Sequence, residues 1–443
     1  MLKYSKWFLL LALIGYLPFQ ATAQQEIGLH FMQGVWQSSK TNPALLTKQG
    51  WTIALPGFQN TLFFSGPTYG DVIQAGDTSN VLNVDNLIAN LDEQNILREQ
   101  LEIETIGAVF GIGPVRFGLH HSIKFGAYLH YPKTLPQLIW KGNAQFIGQE
   151  IDLGHNLQIT SYNEFALAAA FDLKALQLGA RVKLLTGIGD ISTEKGAASF
   201  YTDDEFYQLS FSADYRLNTS ALLNYEAYND FDVDYNFGQV DFNRLVTKNF
   251  GVGFDLGAQL NLDKLSLAAS VVDVGQITWT ENVNNYSANG TFEYDGLDLA
   301  AALTGDSISF EQALDTIQQI FDFREEHMEY TTALPTKVYL SGQFKLTDSW
   351  TLGALLFGEF YRDEFFSTFA LSGRWNLKKW IALGMTYGVV QNTYTNIGLN
   401  AQFNLGPVQL YGVTDNIIAA FHPDGSRYFN LRAGLNLTFG RKE

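Results

Sequence analysis

The end of the chain alternates strictly between apolar and polar positions. Between Tyr428 and Phe439 the apolar positions are Phe429, Leu431, Ala433, Leu435, Leu437 and Phe439. Apolar residues at every second position predict a β-strand with one apolar face. Soluble β-sandwiches alternate in the same way, so this strand alone does not distinguish a membrane protein from a soluble one.

The same alternation recurs along the chain. It is clear in segments 176–184, 252–262, 338–346 and 397–405. Each segment has about ten residues, which is the length that a tilted strand needs to cross the apolar core of a membrane. The repetition therefore favours a membrane barrel over an isolated amphipathic strand.

The connections between these segments fall into two classes. Tight turns are predicted at Gly113-Pro114, Lys174-Ala175, Asp263-Lys264, Asp348-Ser349, Lys378-Lys379 and Gly406-Pro407. Most other connections are longer, such as 132–158, 281–331 and 415–427. Short turns on one side and long loops on the other are typical of outer-membrane β-barrels.

The turns also restrict the number of strands, because an even number of strands must separate any two turns that lie on the same side of the membrane. Fourteen wall strands satisfy this rule, within the segments 51–64, 102–112, 115–131, 159–174, 176–192, 249–262, 265–280, 332–346, 350–362, 364–377, 380–391, 393–405, 407–414 and 428–439. Segment 198–237 is then an extra extracellular hairpin. If that hairpin joins the wall, the count is sixteen. The predicted fold is all-β, a transmembrane antiparallel barrel over residues 51–443.

The first 23 residues have the features of an export signal. Lys3 and Lys6 precede an apolar run, and Ala21-Thr22-Ala23 provides the small residues of a cleavage site. This pattern predicts a signal peptide over 1–23 and a mature chain that begins at Gln24. Outside it, no window of about 18 apolar residues predicts a membrane helix, so a membrane location requires a closed barrel.

Composition narrows the function. Only 16% of the 443 residues are charged, whereas 14% are aromatic, which suits strands that face apolar surroundings. The net charge is −17 and becomes −19 without Lys3 and Lys6, so nucleic acid is not an expected partner. Cysteine is absent, which excludes thiolate chemistry.

One segment departs from the strand period. In the long connection 281–331, Phe310, Leu314, Ile317 and Phe321 follow helical spacing. This spacing predicts a loop helix, which either packs on the barrel rim or acts as a lid or partner-docking element. A shorter helix is predicted around 84–101.

No catalytic, cofactor or metal site is predicted, and an enzyme is not expected. His120 and His121 are adjacent on a strand and point to opposite faces, so they cannot bind one metal ion together. The charged residues on the polar faces of the strands are more informative than these histidines, because they should point into the lumen if the apolar faces contact lipid. They are Arg181, Lys183, Asp255, Lys337, Lys345, Glu359, Arg374 and Arg432. They either hold a structural polar network or line a selective path.

The motif Asn42-Pro43-Ala44 follows the predicted signal peptide and precedes the barrel. Such a motif followed by a barrel resembles the FadL-like fatty-acid transporter superfamily and the PorV barrel of the type IX secretion system. Segments 164–187, 248–260 and 330–342 resemble a closer group, a Bacteroidota family of uncharacterised outer-membrane proteins. The resemblance implies fourteen strands and an N-terminal plug, residues 24–50, inside the barrel.

Two functions are therefore expected for an outer-membrane protein of this kind. One is passive uptake of hydrophobic small molecules, which an apolar pocket between plug and wall would favour. The other is a non-transporting subunit of an outer-membrane secretion or assembly machine, whose lumen would be sealed and whose partners would be other outer-membrane proteins. In both cases outer-membrane lipid surrounds the barrel.

Overall fold

The computed structural model describes residues 26–47, 50–75, 80–220, 224–227, 230–232, 247–294, 323–362, 364–378, 380–390 and 393–440. In chain order the strands are β1 (Trp51–Ala54), β2 (Gly57–Phe64), β3 (Ile73–Ala75), β4 (Asn80–Leu82), β5 (Gln94–Ile112), β6 (Val115–Pro132), β7 (Glu150–Asp152), β8 (Asn156–Leu173), β9 (Leu176–Thr202), β10 (Leu209–Ser220), β11 (Asn224–Ala227), β12 (Asp230–Asp232), β13 (Phe250–Leu262), β14 (Leu265–Trp279), β15 (Val283–Tyr294), β16 (Arg324–Glu326), β17 (Tyr330–Ala333), β18 (Thr336–Lys345), β19 (Trp350–Tyr361), β20 (Glu364–Lys378), β21 (Ile381–Val390), β22 (Thr393–Leu405), β23 (Val408–Thr414) and β24 (Tyr428–Phe439).

Fourteen antiparallel wall strands close into a barrel, which confirms the predicted fold and count. β1 and β2 form one wall strand interrupted at Pro56, and β17 and β18 form another interrupted at Pro335. Proline has no N–H to donate to the ladder, so both interruptions are expected. The other twelve wall strands are β5, β6, β8, β9, β13, β14 and β19 to β24. Closure comes from β24, which pairs with β1 and β2 in a register that joins Trp51 to Phe439.

The two faces of the wall have opposite character. On β13, the apolar Val252, Phe254 and Leu256 are each about half exposed on the outside, whereas Asp255 between them is 1% exposed inside. At the end of the barrel that carries the tight turns, hereafter the turn end, Trp350 stacks on Trp375 with 5.6 Å between ring centroids. An apolar outer face with aromatic residues at its margin fits a lipid environment.

The closing strand follows the same rule. Leu431 and Phe439 are among the exposed apolar side chains, and Leu435 and Leu437 are half-buried on the same parity. Phe429 lies at the opposite, loop end of the barrel, where its ring stacks on Phe64.

A sheet extends beyond the wall at the loop end. The distal part of β9 pairs with β10 instead of β13, β10 pairs with β15, and β15 pairs with β16. β7 adds to the other edge of β9. The predicted hairpin 198–237 therefore begins within an extended wall strand, and its second strand is β10. Because β13 pairs directly with β14 below it, β10 and β15 do not enter the wall.

The described helices are short: α1 (Ile27–His30), α2 (Tyr69–Val72), α3 (Val84–Ala89), α4 (Thr134–Lys141) and α5 (Ile417–Phe421). The helix predicted over 84–101 is wrong in its second half, where residues from Gln94 onward belong to β5. The reason is the ladder to β2, in which Leu97 pairs with Phe64. Connection 281–331 includes β15 and β16, whereas the helix predicted around Phe310 to Phe321 lies outside the described residues, as does segment 1–23. No helix of the described part of the chain is both long and apolar enough to cross a membrane.

Deletion of Tyr428–Glu443 should abolish assembly, because β24 joins the first and thirteenth wall strands and its loss leaves two open edges. The measurement is heat modifiability on a denaturing gel, in which a folded barrel migrates differently before and after boiling. Deletion of only residues 440–443 is the control and should leave the folded band. A folded band from the longer deletion would contradict the assigned closure.

Candidate functional site

The N-terminal segment, defined here as residues 26–47, crosses the barrel interior. Gln37 donates to Glu104 of β5 at 3.2 Å and exchanges two hydrogen bonds with Asn436 of β24, each 2.9 Å. On the opposite wall, Ser270 of β14 donates to the carbonyl oxygen of Thr41 at 2.6 Å. His30 is held between Thr41 and Ser341, with 2.8 Å to each hydroxyl. The segment is thus fixed to several sides of the wall.

The motif Asn42-Pro43-Ala44 lies against β9 and β13. The Asn42 side chain accepts from Ala44 at 2.9 Å and donates to the carbonyl oxygens of Ala258 and Ala269. The wall carries the paired glycines Gly179 and Gly257 at this point. A Cβ atom at either glycine would lie 2.0 to 2.2 Å from the motif, so this close approach requires glycine on both strands.

Charged side chains fill the space between this segment and the wall. Among the described residues, seven cations and seven anions form three groups of buried or half-buried ion pairs, here together named the interior network. Its members are Lys40, Arg98, Lys124, Arg181, Lys183, Lys337, Arg432, Glu26, Glu102, Glu104, Glu164, Asp255, Asp273 and Glu359. Equal numbers of opposite charges satisfy the need to pair ions removed from water.

Asp255 is a central member of the network. Its carboxylate accepts from Arg181 at 2.9 Å and from Lys183 at 2.8 Å, and it also accepts the backbone N–H of Asp273. A bulge between β13 and β14 places Asp273, whose φ is 60°, beside Asp255. Asp273 in turn pairs with Lys183 and Lys337. Arg181 links this cluster to the N-terminal segment through the carbonyl and hydroxyl oxygens of Ser39.

Arg432 organises the other side of the network. It pairs with Glu26 of the N-terminal segment and, at 2.9 Å, with Glu102 of β5. Lys40 of the segment pairs with Glu102 and, at 2.9 Å, with Glu104. The segment therefore contributes charges of both signs to the network.

The sequence-predicted lumen-facing residues fall into three positions. Arg181, Lys183, Asp255, Lys337, Glu359 and Arg432 belong to the interior network. Lys345 lies at the exposed turn end and pairs at 2.8 Å with Asp348. Arg374 points inward and is half-buried, and among the described residues it donates only to Gln402, at 2.8 Å.

Several network members were not predicted from the sequence. Arg98 pairs with Glu359 and lies over the rings of Tyr361 and Phe366. Glu164 accepts from Lys124 at 2.6 Å and lies 3.0 Å from His120. For Arg98, strand parity assigns an inward position only with knowledge of the bulge at Thr105 of β5, where the pairing register shifts, whereas Glu164 shares the parity of the buried Ala166. A bulge exchanges the two faces of a strand and so hides this signal.

Cavities lie on both sides of the N-terminal segment. A mouth of about 1170 Å³ opens at the loop end and adjoins a charged cavity of about 100 Å³ lined by Lys124, Glu164, Lys183 and Lys337. A separate cavity of about 420 Å³ lies at the turn end, beside Gly34 of the segment. Among the described residues, both of these inner cavities are lined by charged or amide side chains, in contrast to the apolar pocket expected for hydrophobic uptake.

An apolar groove lies elsewhere, on the outer face at the loop end. Its volume is about 460 Å³, and it is bounded by β2, β5 and β6 beneath α2, α3 and α4. The lining includes Leu62, Phe64, Leu87, Leu97, Leu129, Tyr131, Ile139 and Trp140. Trp140 is 53% exposed, so the groove is open to surrounding lipid or solvent.

Polar contacts hold the helices over the groove. Asp71 accepts from the backbone N–H and the hydroxyl of Thr68, each at 2.8 Å, and caps α2. The Thr68 backbone hydrogen bond is the main reason that the pKa of Asp71 is lowered. The cap therefore remains ionised as the pH falls to the usual range of an aspartate. Lys133 donates to the carbonyl oxygen of Leu91 at 3.0 Å and fixes the end of the α3 connection.

The fold and its interior define a closed β-barrel with an apolar outer face and a charge-paired lumen. The chain belongs to the family described as "Family of unknown function (DUF5723)", whose model matches residues 43–415. No curated protein sequence matches the chain.

Solved barrels cover nearly the whole chain at low identity. A Pseudomonas aeruginosa FadL homologue is 11% identical, with 90% of this chain and 92% of that chain covered and a TM-score of 0.41. The Ralstonia pickettii toluene transporter TbuX is 9% identical, with 91% and 92% covered and a TM-score of 0.42. A deletion mutant of the TodX monoaromatic hydrocarbon channel is 9% identical, with 95% of each chain covered and a TM-score of 0.44.

Asp255→Ala should destabilise the barrel by about 3 to 5 kcal/mol, because it leaves Arg181 and Lys183 buried with fewer counter-charges. The measurement is the temperature at which the folded band of the purified protein is lost. Asp348→Ala is the control, because its ion pair with Lys345 is exposed and should contribute little. Equal melting temperatures for both variants would contradict a structural role of the network.

Proposed function

We propose that this protein is an outer-membrane barrel that captures hydrophobic small molecules from its loop end and supports their passive uptake. The observation that carries the proposal is the groove beneath α2, α3 and α4. Apolar and aromatic side chains make up nearly all of its lining, and its volume suits a small organic molecule.

The position of the groove supports capture from an apolar phase. Leu97 and Trp140 are exposed on the outer face, where a dissolved hydrocarbon would partition before it met the barrel. No ion pair of the described residues lies at the floor of the groove, and the pair between Lys141 and Asp85 lies at its exposed rim. An uncharged or weakly polar ligand is therefore preferred. Passage inward would require movement of the N-terminal segment, because charged side chains line the space beside it.

The interior network favours a second function. Ion pairs of Glu26 and Lys40 with the wall, and the hydrogen bonds from Arg181 to Ser39, hold the N-terminal segment in place, and this suits a barrel that serves as a sealed subunit of an outer-membrane machine. In that case the groove would hold lipid or an apolar segment of a partner protein. Uptake measurements separate the two functions, because only the first predicts flux.

Trp140→Gln should lower the initial rate of radiolabelled toluene uptake by about tenfold at subsaturating concentration, in cells that express the protein. The loss of an aromatic contact of about 1 to 2 kcal/mol gives this magnitude. Trp51→Gln is the matched control, because Trp51 is similarly exposed, at 59%, but lies at the turn end, and its uptake should equal the wild type. Wild-type uptake no faster than in cells without the protein, together with co-purification of a large membrane partner, would favour the sealed subunit instead.

A further inference from the structure

Arg374 is an inward-facing cation that the interior network does not neutralise. Its Nη2 atom donates to Oε1 of Gln402 at 2.8 Å. Within the described part of the chain, its buried Nη1 atom has no hydrogen-bond partner and Arg374 forms no ion pair. A guanidinium with a buried, unpartnered nitrogen and one neutral partner is costly, whereas an anion at Nη1 would satisfy both its charge and its unpartnered donor.

The surroundings of Arg374 have the composition of an anion site. Arg374 lines the turn-end cavity of about 420 Å³, and Lys378 lies at the exposed end of the same strand face. The remaining polar lining consists of the side chains Gln33, Gln343, Thr351, Asn376, Gln402 and Asn404. No carboxylate is among the described residues that line it. The cavity therefore combines two cations with several amide groups that can donate hydrogen bonds.

We propose that this turn-end cavity binds an oxyanion, a carboxylate or phosphate group carried by a small molecule that enters from the turn end. The planar guanidinium of Arg374 offers a two-donor fork that matches either group. Lys378 adds a second positive charge near the opening. The volume accommodates a small organic anion but not a folded protein segment.

The cavity also borders the N-terminal segment. Gln402, which accepts from Arg374, donates to the carbonyl oxygen of Gly34 at 3.4 Å, and Gln409 donates to the same oxygen at 3.0 Å. An anion that competes with Gln402 for Arg374 acts where the segment is attached to β22 and β23. This site is independent of the outer groove and of the proposed uptake.

The test is calorimetric titration of the purified full-length protein with inorganic phosphate and, separately, with acetate at constant ionic strength. We expect saturable binding of at least one probe, weakened at least tenfold by Arg374→Gln and less by Arg374→Lys, which retains the charge. Lys345→Gln is the matched control, because Lys345 lies at the same end of the barrel but pairs with Asp348, and it should bind as the wild type does.

The two probes identify the source of the oxyanion. Binding of phosphate alone assigns a phosphate site, and binding of acetate assigns a carboxylate site. Absence of saturable binding of both probes to the wild type would overturn the proposal. Equal weakening by Arg374→Gln and Lys345→Gln would also overturn it, because it would indicate non-specific attraction to the cationic end. If Arg374→Gln does not fold, the comparison of the wild type with Arg374→Lys still tests the proposal, because weaker binding by Arg374→Lys is expected and unchanged binding would overturn it.

Discussion

The interior of this barrel depends on the pairing of buried charges. Asp255, Arg181 and Lys183 lie on neighbouring wall strands, and each would be costly to bury alone. Together with Asp273 and Lys337, they form a compact cluster of three cations and two anions, and Glu164 lies 3.8 Å from Lys183 as a third carboxylate. The N-terminal segment completes this arrangement, because Ser39 accepts from Arg181 while Lys40 and Glu26 supply charges to the opposite wall.

This constraint connects the interior to the choice of residues on the strands. A wall strand must place an apolar side chain outside and a polar one inside, so the usual arrangement of a soluble protein is reversed. Glycine is needed where the segment meets the wall, as at Gly179 and Gly257. The result is a lumen that holds a polar chain segment tightly, while the apolar groove lies on the outer face under loop helices. In the proposed uptake function, capture of a ligand and its passage would therefore fall to different parts of the molecule.

Much of the fold could be predicted from the sequence, because strand parity and turn position are local signals. The fourteen wall strands and their turns follow from these signals, and so does the separation of Arg181 and Asp255 from the apolar residues around them. The beginning of β5 could not be predicted, since residues 94–101 contain a helix-compatible pattern and become a strand through pairing with β2 and β6. The hydrogen bonds of the β-ladder therefore outweigh the local helix propensity of this segment.

The ion-pair partners within the interior network and the outer groove were harder to predict from the sequence. Asp273 joins the network only because a bulge turns its strand, and a bulge has no reliable sequence signal. The outer groove depends on the docking of three short helices from two separate connections, so no single motif reveals it. Arg374, in contrast, was identified by parity, and only the structure distinguishes it from the paired charges.

The central claim is that the interior network holds the N-terminal segment as firmly as a wall strand. Hydrogen exchange followed by mass spectrometry on the protein in lipid tests this claim directly, through peptides that cover residues 26–46. Protection comparable to that of β9 and β13 is the predicted result, because the amides lie among buried, paired side chains. Exchange as fast as in the exposed turn 203–208 would contradict the account.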